Sequence, residues 1–130
     1  MISRTVREVC SYRRLGEGDV LSQRRFHRRA RARLAGIVHA VEIDPASRLA
    51  TILGTEAMGV NSMHHQVIDR LGPGVRAVAH NHDGHIEAIE IETAPAVLGV
   101  QWHPELMRHR GDHLALFEDL VRQVVSRRSD

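Results

Sequence analysis

From residue 37 onward the chain alternates short apolar runs with glycine, proline and aspartate punctuation. Ile37, Val38, Ala40, Val41 and Ile43, interrupted by His39 and Glu42, predict a strand that stops at Asp44-Pro45. Ser47 is placed to cap a short helix, Arg48 to Leu53, which Gly54 ends. A second strand ends near Val60-Asn61-Ser62, and Met63 to Leu71 reads as a short helical or irregular segment closed by Gly72-Pro73-Gly74. Val75 to Asn81 and Ile86 to Glu92 flank Asp83-Gly84, a hairpin signal. Thr93-Ala94-Pro95 reads as a loop before a short buried strand, Val97 to Gln101. Leu114, Phe117, Leu120, Val121 and Val124 recur at helical spacing and predict an amphipathic helix from His113 to Val125.

Residues 1–36 obey a different pattern. They hold ten arginines against Glu8, Glu17 and Asp19, a sum of +7, whereas residues 37–130 hold eight arginines against thirteen acids, a sum of −5. Six arginines crowd between Arg24 and Arg33 with Phe26 and Leu34 the only large apolar neighbours, which predicts a solvated helix or a disordered arm. All eighteen basic residues are arginine, a composition that points to GC-rich coding DNA, and a shifted reading frame over residues 1–36 would produce such a segment. Phosphate-backbone binding by this arm is disfavoured, because aromatic stacking partners are sparse.

The remaining composition is that of an ordinary globular domain, 42% apolar and 26% charged over 130 residues. No apolar run reaches the ~20 residues of a membrane span, and Arg4, Arg7, Arg13 and Arg14 interrupt any signal-like stretch. The single cysteine, Cys10, rules out an internal disulfide framework and fits a reducing cytoplasm.

The candidate chemistry is concentrated in Gly99-Val100-Gln101-Trp102-His103-Pro104-Glu105. A residue before proline is pushed out of the α region, so His103 should be extended, and in an extended segment residues i and i+2 share a side. Glu105 can then orient the imidazole of His103. A base held by a carboxylate is two thirds of a nucleophile–base–orienter triad.

Three blocks occur in order: Val60-Asn61-Ser62-Met63-His64-His65-Gln66, Asp83-Gly84-His85-Ile86-Glu87-Ala88-Ile89-Glu90, and the His-Pro-Glu segment. Together they closely resemble the C-terminal part of the class I glutamine amidotransferase superfamily, and most of all its gamma-glutamyl-gamma-aminobutyrate hydrolase (peptidase C26) group. His39-Ala40-Val41-Glu42-Ile43 with Ser47-Arg48-Leu49 fits the same group, so the resemblance runs from about residue 37 to 125. It implies the C-terminal part of a three-layer, flavodoxin-like α/β domain with a mostly parallel central sheet over residues 37–130, preceded by an unmatched segment, 1–36.

The resemblance also implies hydrolysis of a gamma-glutamyl amide or glutamine-like substrate through a thioester on a cysteine, without cofactor or metal. In that scheme His103 is the base, Glu105 its orienting carboxylate, and His64, His65 and Gln66 line the cleft. The family's nucleophile sits in a Gly-x-Cys-x-Gly turn between strand and helix, where backbone N–H groups receive the oxyanion. Cys10 has no glycine on either side and no apolar strand leading into it, so it is disfavoured as the nucleophile. Histidines cluster from His64 to His113, with His80, His82 and His85 around the hairpin, but without Cys ligands their spacing fits no standard zinc site.

The expectation is therefore a truncated hydrolase, inactive alone, that self-associates or is completed by an N-terminal partner chain. The rival expectation is a non-catalytic binding module completed by such a chain, with nucleic-acid binding through the arginine-rich arm a lesser alternative.

Overall fold

The computed structural model describes residues 10–14, 36–64 and 66–128. The Arg24–Arg33 run and His65 lie outside the described residues. Seven strands are present: β1 (Cys10–Arg14), β2 (His39–Ile43), β3 (Ala57–Val60), β4 (Gln66–Leu71), β5 (Val75–Asn81), β6 (Ile86–Ile91) and β7 (Ala94–Val100). Helix α1 (Arg48–Leu53) joins β2 to β3, and a 3-10 turn (Pro104–Leu106) leads from β7 into the terminal helix α2 (Gly111–Arg128).

The strands form one sheet in the order β1-β4-β6-β5-β2-β3, with β7 pairing β6 beside β4. Every pairing among the described strands is antiparallel, where the resemblance had implied a mostly parallel sheet. The short connections between consecutive strands explain this, since a parallel pair needs a crossover of a dozen or more residues. Such connections pair β5 with β6 through the Asp83-Gly84 hairpin and β6 with β7 through Glu92-Thr93, while Gly72-Pro73-Gly74 turns β4 into β5 without pairing the two. Gly74 and Gly84 take left-handed φ values of 71° and 80°, which a Cβ would disfavour in these tight turns.

Helix α1 forms as the sequence predicts. The Ser47 Oγ accepts from the Ala50 N–H at 3.0 Å, and Gly54 closes the helix in the left-handed region at φ 66°. The Glu90 carboxylate accepts the Leu49 N–H at 2.8 Å, adding a negative group at the helix N-terminus. Leu49 and Ala50 face the sheet and join Val41, Ile43, Met58, Val60, Val78, Ala79, Ala88 and Trp102 in the core. Leu98, Val100 and Leu116 pack against its margin, so α1 and α2 lie on the same side as β7's inner face.

Four expectations need correction. Met63–Leu71 is not helical: Gln66–Leu71 is a strand, because Val67 and Ile68 are buried and β1 and β6 supply its backbone partners. Ala94 and Pro95 belong to β7 rather than a loop; β7 pairs only β6 among the described strands, and proline is tolerated on such an edge. The same edge position leaves β7 half-buried, with Val97 48% exposed, instead of a buried strand. Finally, Cys10–Arg14, expected as helix or disordered arm, is a strand with four exposed residues, whose order comes from pairing with β4 rather than from burial.

The antiparallel arrangement sorts the chain into two poles. The start of β2, the ends of β3, β5 and β7, and the starts of β4 and β6 lie at one pole, as the pairs His39↔Val60, His80↔Ile86 and Ala88↔Val100 require. That pole collects His39, Asn61, His64, Asn81, Glu87, Gln101 and His103 from distant parts of the sequence. Cys10 pairs with Leu71, the last residue of β4, about 16 Å along the strand from Gln66.

Candidate active site

The chain leaves β7 at Val100 and reaches His103 with φ −112° and ψ 81°, outside the α region as the following proline demands. The backbone then tightens into the Pro104–Leu106 turn, closed by Leu106 N–H to His103 O at 3.2 Å and Met107 N–H to Pro104 O at 2.9 Å. The expected His–Glu contact is present, but this turn makes it rather than a continuous extended segment. His103 Nδ1 lies 2.7 Å from Glu105 Oε1. A carboxylate only accepts, so Nδ1 carries the proton and Nε2 is left facing outward on a side chain that is 41% exposed. Partial burial pulls the Glu105 carboxyl up, and the His103 hydrogen bond, a backbone N–H and the imidazole's charge outweigh it, so its pKa falls below the usual value.

Asn61 fixes the backbone beneath this pair. Its Oδ1 accepts the His103 N–H at 2.8 Å and its Nδ2 donates to the His103 carbonyl at 3.0 Å, while the residue itself is 1% exposed. Both polar groups of one peptide residue are therefore held by a single buried amide. Replacing Asn61 with Ala strands both, and the expected cost is about 2–3 kcal/mol in chemical denaturation, with the fold retained. A change under ~0.5 kcal/mol would show that water replaces the amide at no cost.

Behind the clamp sits a buried polar cluster. Glu87, on β6, is fully buried, with Oε1 3.2 Å from Asn81 Nδ2, 3.2 Å from His39 Nε2 and 3.7 Å from His64 Nε2. The two imidazoles stand at ion-pair distance but off hydrogen-bond alignment, and Glu87 Oε2 has no hydrogen-bond partner among the described residues. His64 Nδ1 lies 2.8 Å from the Gln66 carbonyl, so it carries a proton as well. Burial pulls the His64 pKa down, but the nearby Glu87 carboxylate, with the Gln66 carbonyl, prevails and raises it. Burial likewise pushes Glu87 up, and contact with His39 and His64 reverses this to a lowered pKa.

The same Gln66 carbonyl accepts from Gln101 Nε2 at 3.0 Å. Of the cleft residues read from the sequence, His64 thus points inward to Glu87, Gln66 contributes its backbone, and His65 is not described. His113, on α2, is fully buried with Nε2 3.0 Å from the Gly59 carbonyl; burial lowers its pKa, so it acts as a neutral staple between α2 and β3. Cys10 contacts Tyr12, whose hydroxyl is pushed up to about 12 by that hydrogen bond and by burial. No group of three or more His, Cys, Asp or Glu side chains among the described residues could hold a metal ion.

Sequence reasoning named His103 and Glu105 but missed Asn61, His39, Asn81 and Glu87. The available signal was Glu87 itself, a carboxylate between apolar Ile86, Ala88 and Ile89, which in a strand predicts a buried acid needing partners.

The sequence model of the Peptidase C26 family matches residues 14–105, about 70% of the chain. The chain belongs to the Peptidase C26 family. The match starts upstream of Ile37 and takes in part of the arginine-rich segment that the sequence reading had set outside the family. The C26 chain is 39% identical over 88 residues to a glutamine amidotransferase-like protein of Rickettsia prowazekii, covering 66% of this chain and 31% of that protein. It is 42% identical to a glutamine amidotransferase of Mycobacterium tuberculosis, over 66% of this chain and 27% of that one. It is 37% identical to the gamma-glutamyl-gamma-aminobutyrate hydrolase of Escherichia coli, over 52% of this chain and 27% of that enzyme. The C26 chain therefore matches between about a quarter and a third of the length of these relatives.

A GMP synthase protein of Thermoplasma acidophilum shares the fold, with TM-score 0.59 and 18% identity, over 70% of this chain and 44% of that structure. The C26 domain thus has a glutamine amidotransferase-like α/β fold, and the sheet of its described residues is antiparallel. No described helix is long and apolar enough to cross a membrane.

Proposed function

We propose that His103 and Glu105 are the base and the orienting carboxylate of a Cys-His-Glu triad that hydrolyses gamma-glutamyl amides. The observation that carries the reading is the 2.7 Å Nδ1–Oε1 contact, which in the neutral imidazole keeps the proton on Nδ1 and makes Nε2 the unprotonated nitrogen. In that state Nε2 can take a thiol proton and return it to a departing amine. The thiolate attacks the side-chain amide carbon, the amine leaves with the proton from the imidazole, and water hydrolyses the thioester to glutamate. The likeness to the E. coli gamma-glutamyl-gamma-aminobutyrate hydrolase supports this substrate class. Cys10, beside Leu71 at the end of β4 away from Gln66, is not the thiol in this scheme; the thiol comes from outside the described residues, on a complementary segment or chain that extends the sheet at β7.

The test mixes the chain with the N-terminal segment of a C26 relative that carries the Gly-x-Cys-x-Gly elbow and follows glutamate release from a gamma-glutamyl anilide. Turnover is expected only from the mixture and is expected to vanish with His103→Gln. Turnover that survives this substitution, or stable association without any turnover, overturns the proposal.

A further inference from the structure

Two connections run from the Glu87 cluster to His103. Glu87 accepts the Gln101 N–H through its own backbone carbonyl at 2.8 Å, two residues before His103. Its side chain faces His64, whose Nδ1 meets the Gln66 carbonyl that Gln101 Nε2 also grips. Asn61, three residues before His64, holds His103 on both backbone groups. Asn61 and Gln66 therefore each hold the His103 segment, and His64 between them faces the Glu87 carboxylate.

We propose that Glu87 and His64 are positioning residues for His103, setting its separation from Glu105 through Asn61 and Gln101. The pair would be a poor choice for stability alone. A buried ion pair recovers little net energy after desolvation, and an apolar pair of similar volume serves packing as well or better. It does fix direction: His64 is held between an acceptor on β4 and a carboxylate on β6, so the strand starts cannot slide apart without separating charge. The catalytic meaning of this arrangement rests on reading His103 as the base, but its geometry is tested without turnover.

The readout is the His103 imidazole titration followed by nitrogen NMR in the full chain. Glu105→Gln shifts the His103 midpoint by an amount that reports the Nδ1–Oε1 contact. In a His64→Gln background that shift is expected to shrink at least about twofold, the signature of coupled sites, and it should shrink similarly in Gln101→Met. Gln101 reaches Gln66 on the exposed side of the cluster and leaves the buried pair intact, so Gln101→Met decides the matter even if His64→Gln does not fold. An undiminished shift in Gln101→Met overturns the proposal, and so does an undiminished shift in a folded His64→Gln. Failure of turnover in the assembled enzyme would instead count against the triad and leave this result standing.

Discussion

Substituting Glu87 with Ala is expected to destabilise the domain by about 3–5 kcal/mol, among the largest single-residue effects available in a protein of this size. The carboxylate is fully buried and answers two imidazoles and the Asn81 amide. Its removal leaves a buried His64 whose Nδ1–H still donates to the Gln66 carbonyl but whose Nε2 no longer faces a carboxylate. Glu87→Gln keeps an acceptor for Asn81 but loses the charge, and should cost less, about 1–3 kcal/mol.

The pH dependence separates these cases. Glu87 has a lowered folded pKa, so its contribution is present above the ordinary carboxylate range and is lost as pH falls through the folded value. His64 has a raised folded pKa, so its contribution is complete below its ordinary value of 6.5 and is lost as pH rises through the folded one. The pair therefore stabilises most between those limits. His113 acts in the other direction: with a lowered folded pKa, its neutral form costs stability as pH falls below 6.5. Glu87→Gln should erase the decline above pH 6.5 and leave the His113 decline below it. Urea denaturation at a series of pH values measures both, and a Glu87→Ala penalty below ~0.5 kcal/mol would show that the cluster is not an ion pair.

The second large effect is on turnover in the assembled enzyme. His103→Gln should lower kcat by about 10³–10⁴-fold with little change in KM, because general acid–base work is confined to the transition state. Glu105→Gln should be milder, about 10–10²-fold, because Glu105 is 53% exposed and water partly replaces its hold on Nδ1. Steady-state kinetics on a gamma-glutamyl anilide distinguishes the two. Equal losses would mean that Glu105 does more than orient the ring.

What the sequence revealed depended on how local the determinants are. Helix α1, its Ser47 and Gly54 ends and the β5–β6 hairpin are encoded within a few residues each and form as their patterns predict, and the His103–Glu105 contact forms too, through a tight turn in place of the extended segment. Strand β4 escaped because Val67 and Ile68 are adjacent and both buried, which breaks the alternation that marks a strand, while Asp69 and Arg70 follow immediately. Strand β1 has no apolar alternation at all; its register comes from β4, far along the chain even at the nearest pair, Arg14↔Gln66. Glu87 escaped because a charge ordinarily reads as solvent-facing, and only the convergence of His39, His64 and Asn81 makes its burial tolerable.

The split of the sheet into two ends makes this domain unusually permissive to engineering at one of them. Gly54, Gly72–Gly74 and Glu92–Thr93 all turn at the end remote from His103 and donate no side chain to its surroundings. Reporter peptides, affinity handles or new chain termini grafted there would be borne by surface turns, leaving the histidine's neighbourhood as it is.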